Sequence, residues 1–190
     1  PKEKWEPILR KVKARVIKDS PNGPLYYGGR LANLSDNYEI YQTLIYNKTA
    51  LLFLMLQEML GKEDLFRRFR STIDSSRFHN LTTQEFVQKF TEGDKRLTRF
   101  FEGWIYSREV PEVDVQLVLH GGKPSVKVTQ KNGSLLFPLL LEITTDQGSF
   151  LKSVVVDGPI SLYPLEESSV RRVAVSPLTS APILLPEEGK

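Results

Sequence analysis

The order of apolar and polar residues changes character once along the chain, near residue 110. Before that point, apolar residues recur every three or four positions, which is the period of amphipathic helices. After it, apolar and polar residues alternate over short runs, which is the period of β-strands. The pattern predicts an α+β protein in which an all-helical subdomain of about five helices, residues 1–109, precedes a small antiparallel β-sandwich, residues 110–190.

The first two predicted helices are separated by a turn rich in proline and glycine. Apolar residues at helical spacing predict the first helix over about residues 3–18, and the Pro-Asn-Gly-Pro turn at residues 21–24 ends it. Asp36 is expected to cap the second helix, which continues to Leu60 and ends at a glycine. Polar residues that follow Tyr46 interrupt the apolar pattern and predict a kink near that residue.

Three further helices are predicted before residue 110. Apolar residues at helical spacing mark the third over about residues 63–76. Thr82 and Glu85 form a capping box that begins the fourth, and Asp94 can cap the fifth. The helical part should therefore be compact, because the connections between its helices are short.

Six short runs with strand-like patterning follow the helices, and we expect a domain boundary at residues 109–113. The glycine pair Gly121 and Gly122 predicts a turn after the first run, and the segment Lys131–Gly133 is a hairpin signal after the second. Six short strands at this spacing are typical of a small antiparallel β-sandwich. The runs lie at about residues 113–119, 126–128, 135–143, 150–156, 160–163 and 170–175.

Composition narrows the chemistry of the chain. It contains no cysteine and two histidines, His79 and His120, which excludes a disulfide framework, a thiol nucleophile and a cysteine-ligated zinc or iron–sulfur cluster. The two histidines are too far apart in sequence for a helical His-x-x-x-His metal pair. We expect both to be surface or turn residues, and we expect no metal ligand in this chain.

The net charge of +3 conceals a basic excess near the amino terminus, where residues 1–18 hold seven Lys or Arg against two Asp or Glu. A solvated helix face explains this excess, because no stripe of charge extends it along the chain. Binding of nucleic acid or an anionic membrane through this helix is the weaker alternative, and we expect no nucleic-acid partner. The basic residues in question are Lys11, Lys13, Arg15 and Lys18.

No apolar run is long enough to cross a bilayer, since the longest, from Ala50 to Leu56, has seven residues. The sequence begins with Pro1 rather than Met and shows no signal-peptide pattern, which indicates a part excised from a longer protein. The cellular compartment does not follow from these features.

Five short motifs, in order over residues 23–115, carry a resemblance to a known family. The central motif is the run from Tyr46 to Ala50, of the form Tyr-x-Lys-x-Ala, which enters a helix that leads to a Leu-Gly-x-x-x-Leu-Phe segment. With the other four motifs, it resembles the aminopeptidase N family of gluzincin zinc metallopeptidases, downstream of their zinc-binding helices. The other motifs are Gly-Pro-Leu-Tyr-Tyr-Gly-Gly-Arg-Leu at residues 23–31, Thr-Thr-Gln-Glu-Phe at 82–86, Leu-Thr-Arg-Phe-Phe-Glu-Gly-Trp at 97–104 and Pro-Glu-Val-Asp-Val at 111–115.

The resemblance implies a catalytic position for Tyr46. In the family, a tyrosine at this position donates a hydrogen bond to the oxyanion that develops when a zinc-bound water attacks the peptide carbonyl. A phenol is suited to this task because it donates a hydrogen bond without adding a charge. The alternative is that Tyr46 is an amphipathic tyrosine at a helix entrance, with a packed ring and a solvated hydroxyl.

Two departures from the family pattern limit what the chain can do. Thr49 replaces the usual glycine, and its branched side chain could crowd a cleft where the backbone is closely approached. The chain also lacks the His-Glu-x-x-His motif, the downstream glutamate ligand and the Gly-x-Met-Glu-Asn motif. The resemblance therefore implies the carboxy-terminal part of a zinc peptidase, with zinc and peptide substrate belonging to the parent protein.

The chain alone is expected to be inactive and to bind no zinc. Its partner would be the missing amino-terminal catalytic lobe, and apolar residues such as Trp5 and Tyr46 would be exposed where that lobe packs. Self-association of the isolated chain would follow from such exposure. A different hypothesis stays open, that of a non-catalytic protein-interaction module with the same fold.

Overall fold

A computed structural model describes residues 2–26, 34–167 and 169–186 of the chain. Helices come first and strands second, with the change between residues 106 and 113, which confirms the predicted α+β architecture. The helices are α1 (Lys2–Asp19), α2 (Leu34–Tyr41), α3 (Lys48–Leu60), α4 (Lys62–Asp74), α5 (Thr83–Thr91) and α6 (Lys95–Tyr106). The strands are β1 (Val113–His120), β2 (Lys123–Gln130), β3 (Leu136–Thr145), β4 (Gly148–Asp157), β5 (Ile160–Pro164) and β6 (Val170–Val175).

Helix α1 packs on α3 through apolar side chains. Leu9 and Val16 are buried and form a small apolar cluster with Leu51 of α3. Trp5 and Ile8, near the start of α1, are about half exposed. A short 3₁₀ turn over residues 20–22 ends the helix, as the proline and glycine of that segment predict.

The second predicted helix is two helices separated by a π-helical segment, Gln42–Asn47, which we call the π turn. The regular α-helix is therefore interrupted near Tyr46, where the pattern predicted a kink, and the interruption is a π-helical segment. The prediction that Asp36 caps this helix is wrong, because α2 begins at Leu34 and Asp36 lies inside it. Aspartate is favourable in the first turn of a helix as well as at its cap, so the sequence pattern alone does not distinguish these two positions.

The ends of the other helices follow the predicted local chemistry. Gly61 adopts a left-handed φ of 78° between α3 and α4, a conformation that a side chain would strain. Thr82 and Glu85 form the predicted capping box at the start of α5. The Asp94 carboxylate accepts hydrogen bonds from the backbone N–H groups of Arg96 and Leu97, which caps α6.

Ion pairs connect α4 to the end of α5. The Arg67 guanidinium forms two hydrogen bonds with the carboxylate of Glu92, which follows α5, and a third with Asp64. Arg68 also bonds Asp64 and donates to the carbonyl oxygens of Phe90 and Thr91 at 3.1 and 3.0 Å. A cation is favourable there because the last carbonyls of a helix carry partial negative charge.

The six strands form two antiparallel sheets of three strands each, in the orders β1-β2-β5 and β4-β3-β6. Apolar residues from both sheets enter one core, as the predicted β-sandwich requires. The central strand β3 also contacts α3 and α6, so this sheet lies between the helices and the other sheet. Buried Leu52, Phe101 and Trp104 of the helices belong to the same core.

The hairpin predicted at Lys131–Gly133 is wrong, because this turn carries the chain from one sheet to the other. Strand β2 pairs with β1 and β5, whereas β3 pairs with β4 and β6. The Asn132 side chain explains the difference. Its oxygen accepts a hydrogen bond from the backbone N–H of Glu112 at 2.6 Å, and its amide nitrogen donates to the carbonyl of Val110 at 2.9 Å. These bonds hold the turn to the segment before β1.

The carboxy-terminal segment, residues 176–186, which we call the strap, returns to the junction of helices and strands. The N–H of Leu184 donates to Pro111, and its carbonyl accepts from Val113, at 2.9 and 2.8 Å. Lys13 of α1 donates to the carbonyls of Pro177 and Thr179 at 3.0 and 2.8 Å. The strap is therefore bonded to both halves of the chain. Of the helices in the part of the chain that the structure describes, none combines the length and hydropathy needed to cross a membrane.

Candidate functional site

Tyr46 lies in the π turn, and the turn presents its side chain to solvent. The N–H of Lys48 donates to the carbonyl of Thr43, five residues earlier, which is the hydrogen bond that defines a π helix. Thr43 and Leu44 are buried and anchor the turn, whereas Tyr46 is 56 % exposed. Short π-helical insertions of this kind are frequent at functional sites.

More than half of the Tyr46 surface is exposed to solvent. Its ring meets the ring of Tyr41 edge to face, with centroids 5.8 Å apart, which restrains it on one side. Ala50, one turn further along, is also exposed and adds no bulk beside it. The phenol is therefore held by a neighbouring ring and accessible to a molecule that approaches from solvent.

A charged cavity of about 730 Å³ lies beside the π turn. Its walls come from the end of α1, from α2 and from the π turn, where the Gln42 amide donates to the Tyr38 hydroxyl at 3.0 Å. The cavity combines two cations and two carboxylates with neutral donors, so polar rather than apolar molecules fit its chemistry. Its charged lining residues are Arg15, Lys18, Asp19 and Glu39.

Lys48 belongs to the Tyr-x-Lys-x-Ala motif, but the sequence predicts no role for it. It is 2 % exposed, and its ammonium donates a hydrogen bond to the carbonyl of Ser107, just after α6, at 3.0 Å. Its burial is indicated by its spacing from Leu44, Leu51 and Leu52, because the four positions share one helix face and the leucines are apolar. A lysine in the middle of an apolar helix face is expected either to destabilise the fold or to have a buried hydrogen-bond partner.

Thr49, the departure from the family pattern, is half-buried on the apolar side of α3. It lines a hollow of about 340 Å³ together with side chains such as Leu25, Phe53 and Phe86. The branched side chain is thus accommodated between helices, while Tyr46 points to solvent.

The described residues do not provide a zinc site. No group of three or more His, Asp or Glu side chains that could hold a metal ion occurs among residues 2–26, 34–167 and 169–186. His79 follows α4 and His120 ends β1, and both are exposed, as expected for surface or turn histidines. Zinc therefore does not fit the part of the chain that the structure describes, and no described residue is assigned a step that passes through the metal.

The basic face of α1 is only partly a solvated face. Lys11, Arg15 and Lys18 are exposed, but the ammonium of Lys13 is half-buried against the strap. Desolvation lowers the pKa of Lys13, and the Glu58 carboxylate nearby partly offsets this effect. The pKa of Glu58 is raised, mainly because of desolvation, although Ser180 and Lys13 favour its charged form.

The described part of the chain thus combines a helical unit, a β-sandwich and an exposed tyrosine on a π turn, as the resemblance implies. The "Peptidase family M1 domain" matches residues 3–104, and the chain belongs to this family. The earlier resemblance to the aminopeptidase N family is thereby confirmed at the level of the family.

A solved structure supports the same fold. The crystal structure of Legionella pneumophila aminopeptidase A in complex with aspartic acid is similar to this chain, with a TM-score of 0.65 and 21 % identity. The similarity covers 80 % of this chain and 19 % of the Legionella chain, so this chain spans about a fifth of that protein. A comparison with curated proteins gave no match.

Proposed function

We propose that this chain is the carboxy-terminal part of an aminopeptidase N-like zinc metallopeptidase and is inactive alone. It comprises the end of the catalytic domain, residues 1–109, and a β-sandwich domain, residues 110–190. The observation that supports this proposal best is Tyr46, exposed on a π turn within the segment that matches the family. Peptides are the substrate of the complete protein in this proposal.

Tyr46 acts by donating one hydrogen bond. The carbonyl oxygen of a peptide gains negative charge when the carbonyl carbon is attacked, and the phenol hydroxyl stabilises that charge. A phenol is suited to this role because it donates a hydrogen bond without adding a charge to the site. Anchored at Thr43 and Leu44, the π turn holds the donor in place before the substrate binds, which limits the reorganisation that catalysis would otherwise require.

The metal and the residues that bind it lie outside this chain in the proposal. Members of the family use zinc to activate water, and the described residues offer no place for it. The isolated chain should therefore retain no zinc after dialysis and hydrolyse no peptide. One tightly bound zinc per chain, measured by elemental analysis, would contradict the proposal.

The decisive experiment replaces Tyr46 in the complete parent protein. Tyr46→Phe removes the hydroxyl and keeps the ring, so kcat should fall about 10²-fold to 10³-fold, as for the loss of one oxyanion donor. The matched control is Tyr106→Phe, which removes a hydroxyl from another exposed tyrosine, at the end of α6. Unchanged activity of Tyr46→Phe, beside an active parent, would reduce Tyr46 to a packing role.

The second candidate is a non-catalytic interaction module, which Thr49 in place of the family's glycine favours. An unmutated parent that is silent toward aminoacyl and peptide substrates would support this function. The complete proteins of the two candidates also differ in metal content, because a peptidase carries zinc and the module need not. Zinc content and activity of the parent together separate them.

The proposed partner is the missing catalytic lobe, packed on the face that carries Tyr46. Trp5 is also exposed, but it lies about 20 Å along α1 from Lys18, which lines the cavity beside the π turn. Trp5 and Tyr46 therefore lie on separate parts of the surface. Self-association of the isolated chain is expected to weaken when Trp5 or Tyr46 is replaced by lysine, and sedimentation velocity measures this directly.

A further inference from the structure

The end of helix α6 receives bonds from two distant segments of the chain. The Lys48 ammonium donates to the carbonyl of Ser107, which directly follows the helix, at 3.0 Å. The N–H of Tyr26 donates to the carbonyl of Ile105 at 2.9 Å, and the Tyr26 ring packs on Tyr106 with centroids 5.2 Å apart. The last carbonyls of α6 are thus in part satisfied by groups from outside the helix.

Placement of a lysine at this point has a clear electrostatic reason. The last carbonyls of a helix have no partner within the helix and together carry about half a negative charge. An ammonium group brought there from another helix gains both a hydrogen bond and a favourable charge interaction. The cost of burying the Lys48 charge is offset at this place more fully than at an apolar site.

Lys48 is also the residue that closes the π turn. Its backbone N–H bonds the carbonyl of Thr43, and Tyr46 lies two residues before it. The backbone of Lys48 therefore bonds within the turn, and its side chain bonds the turn to the end of α6. Because Ser107 begins the connection to β1, the position of the turn is linked to the junction with the β-sandwich.

The geometry points to Lys48 as a positioning residue for Tyr46: the bond from its ammonium to the end of α6 sets where the π turn presents the tyrosine. This inference rests on the function proposed for Tyr46 only as far as catalysis is concerned. The placement of the tyrosine itself can be measured without activity. Because Lys48 is 2 % exposed, it acts through the turn rather than by contact with a substrate.

The first experiment measures the placement of Tyr46 in this chain. The tyrosines are replaced by 3-fluorotyrosine, and the fluorine resonance of Tyr46 is assigned by its loss in Tyr46→Phe. Lys48→Met should shift or broaden this resonance, while that of Tyr163, whose hydroxyl donates to Val155 within the β-sandwich, stays in place. The matched control is Lys123→Met, an exposed lysine at the start of β2, which should leave both resonances unchanged.

A second variant keeps the experiment decisive if the first does not fold. Lys48→Gln retains a hydrogen-bond donor on a shorter side chain, and we expect it to move the Tyr46 resonance by less than Lys48→Met does. An unmoved Tyr46 resonance in a folded variant that lacks the ammonium overturns the inference. So does failure of both variants to fold, because Lys48 would then serve the stability of the whole helical unit.

Kinetics of the parent protein give the second readout. Lys48→Met should lower kcat about 10-fold to 100-fold, because a displacement of about 1 Å can cost that much, while KM changes less than about two-fold. A rise in KM with unchanged kcat would contradict a positioning role. If Tyr46→Phe keeps full activity, the catalytic function of Tyr46 fails, and the fluorine resonances still decide whether Lys48 positions it.

Discussion

The indole nitrogen of Trp104 donates a hydrogen bond to the carbonyl oxygen of Leu136 over 2.8 Å and so joins helix α6 to strand β3. Both residues are almost completely buried, and the Trp104 ring also meets Phe137 edge to face. The bond lies in the core that helices and sheets share. The two parts of the chain should therefore unfold together rather than one after the other.

Trp104→Phe tests this connection. The change removes the bond and leaves a cavity, and the two losses together should lower the free energy of unfolding by about 2–4 kcal/mol. Urea denaturation, followed by circular dichroism, measures it. The control is Trp5→Phe, a half-exposed tryptophan on α1, which should change stability by less than about 0.5 kcal/mol. Equal losses of stability in the two variants would show that Trp104 contributes no more to the connection than an exposed tryptophan does.

Gly103 permits the close approach of α6 and the sandwich. A Cβ added to Gly103 would lie 2.8 Å from a methyl group of Leu135, so a side chain there must displace its neighbour. Leu135 is 8 % exposed and has little room to move. Gly103→Ala gains about 1 kcal/mol in helix propensity, but overpacking should cost about 1–3 kcal/mol, so we expect net destabilisation.

A double-mutant cycle separates the two contributions. In a Leu135→Ala background the obstructing methyl group is absent, and Gly103→Ala should then be neutral or stabilising. The coupling between the two positions is expected to be at least about 0.5 kcal/mol, from urea denaturation of all four proteins. Additive effects would mean that Leu135 moves aside without cost.

Acid should weaken the connection between α4 and α5. The pKa of Asp64 is lowered, first by its hydrogen bond with Arg68 and then by Arg67, and the pKa of Glu92 is lowered by Arg67. Because both folded-state values lie below the unfolded ones, the stabilisation is complete above about pH 4–5 and disappears as the pH falls through the folded-state values.

Arg67→Gln is expected to remove part of that pH dependence. The variant should be less stable than the wild-type chain at pH 6, and the difference should shrink as the pH falls below about 4. Thermal denaturation over pH 3–7 measures both curves. Arg70→Gln, another change of arginine on α4, serves as the control and should parallel the wild-type curve. A difference between wild type and Arg67→Gln that stays constant with pH would contradict the ion-pair explanation.

Local chemistry explains why so much of the fold could be predicted. The capping box of Thr82 and the cap at Asp94 involve partners within three residues, so their geometry is contained in a short stretch of sequence. The same holds for the alternating strands, because a two-residue period already separates inward from outward positions. The interruption at the π turn was visible as polar residues in an apolar pattern.

Predictions failed or stopped where the deciding partner is distant in sequence. Gly133 and its neighbours have the composition of a hairpin, but the bonds of Asn132 to residues 110 and 112 direct the chain to the other sheet. The sequence pattern predicts that Lys13 is one of several charges on a solvated helix face, but the carbonyl groups that it bonds lie 164 and 166 residues away in sequence. Tyr46 as a site residue came from the family resemblance, since no local pattern separates it from other exposed tyrosines.

The bond between Lys13 and the strap gives the last prediction. Lys13→Met removes two hydrogen bonds from a charged donor, but it also removes the cost of partly burying the charge, so the net loss of stability should be about 1 kcal/mol.

The clearer effect of Lys13→Met is expected in the hydrogen exchange of the strap. Backbone amides of the strap, including that of Leu184, should exchange with deuterium faster in the variant, whereas amides in the centre of β3 should not. Lys11→Met, an exposed lysine on the same helix, is the control and should leave the strap protected. The folded-state pKa of Lys13 lies below its unfolded value, so its burial cost disappears as the pH rises toward about 10.4, and the wild-type chain should gain stability relative to Lys13→Met over that rise. Exchange of the strap at the same rate in Lys13→Met and Lys11→Met would mean that the backbone bonds of Leu184 hold the strap without help from α1.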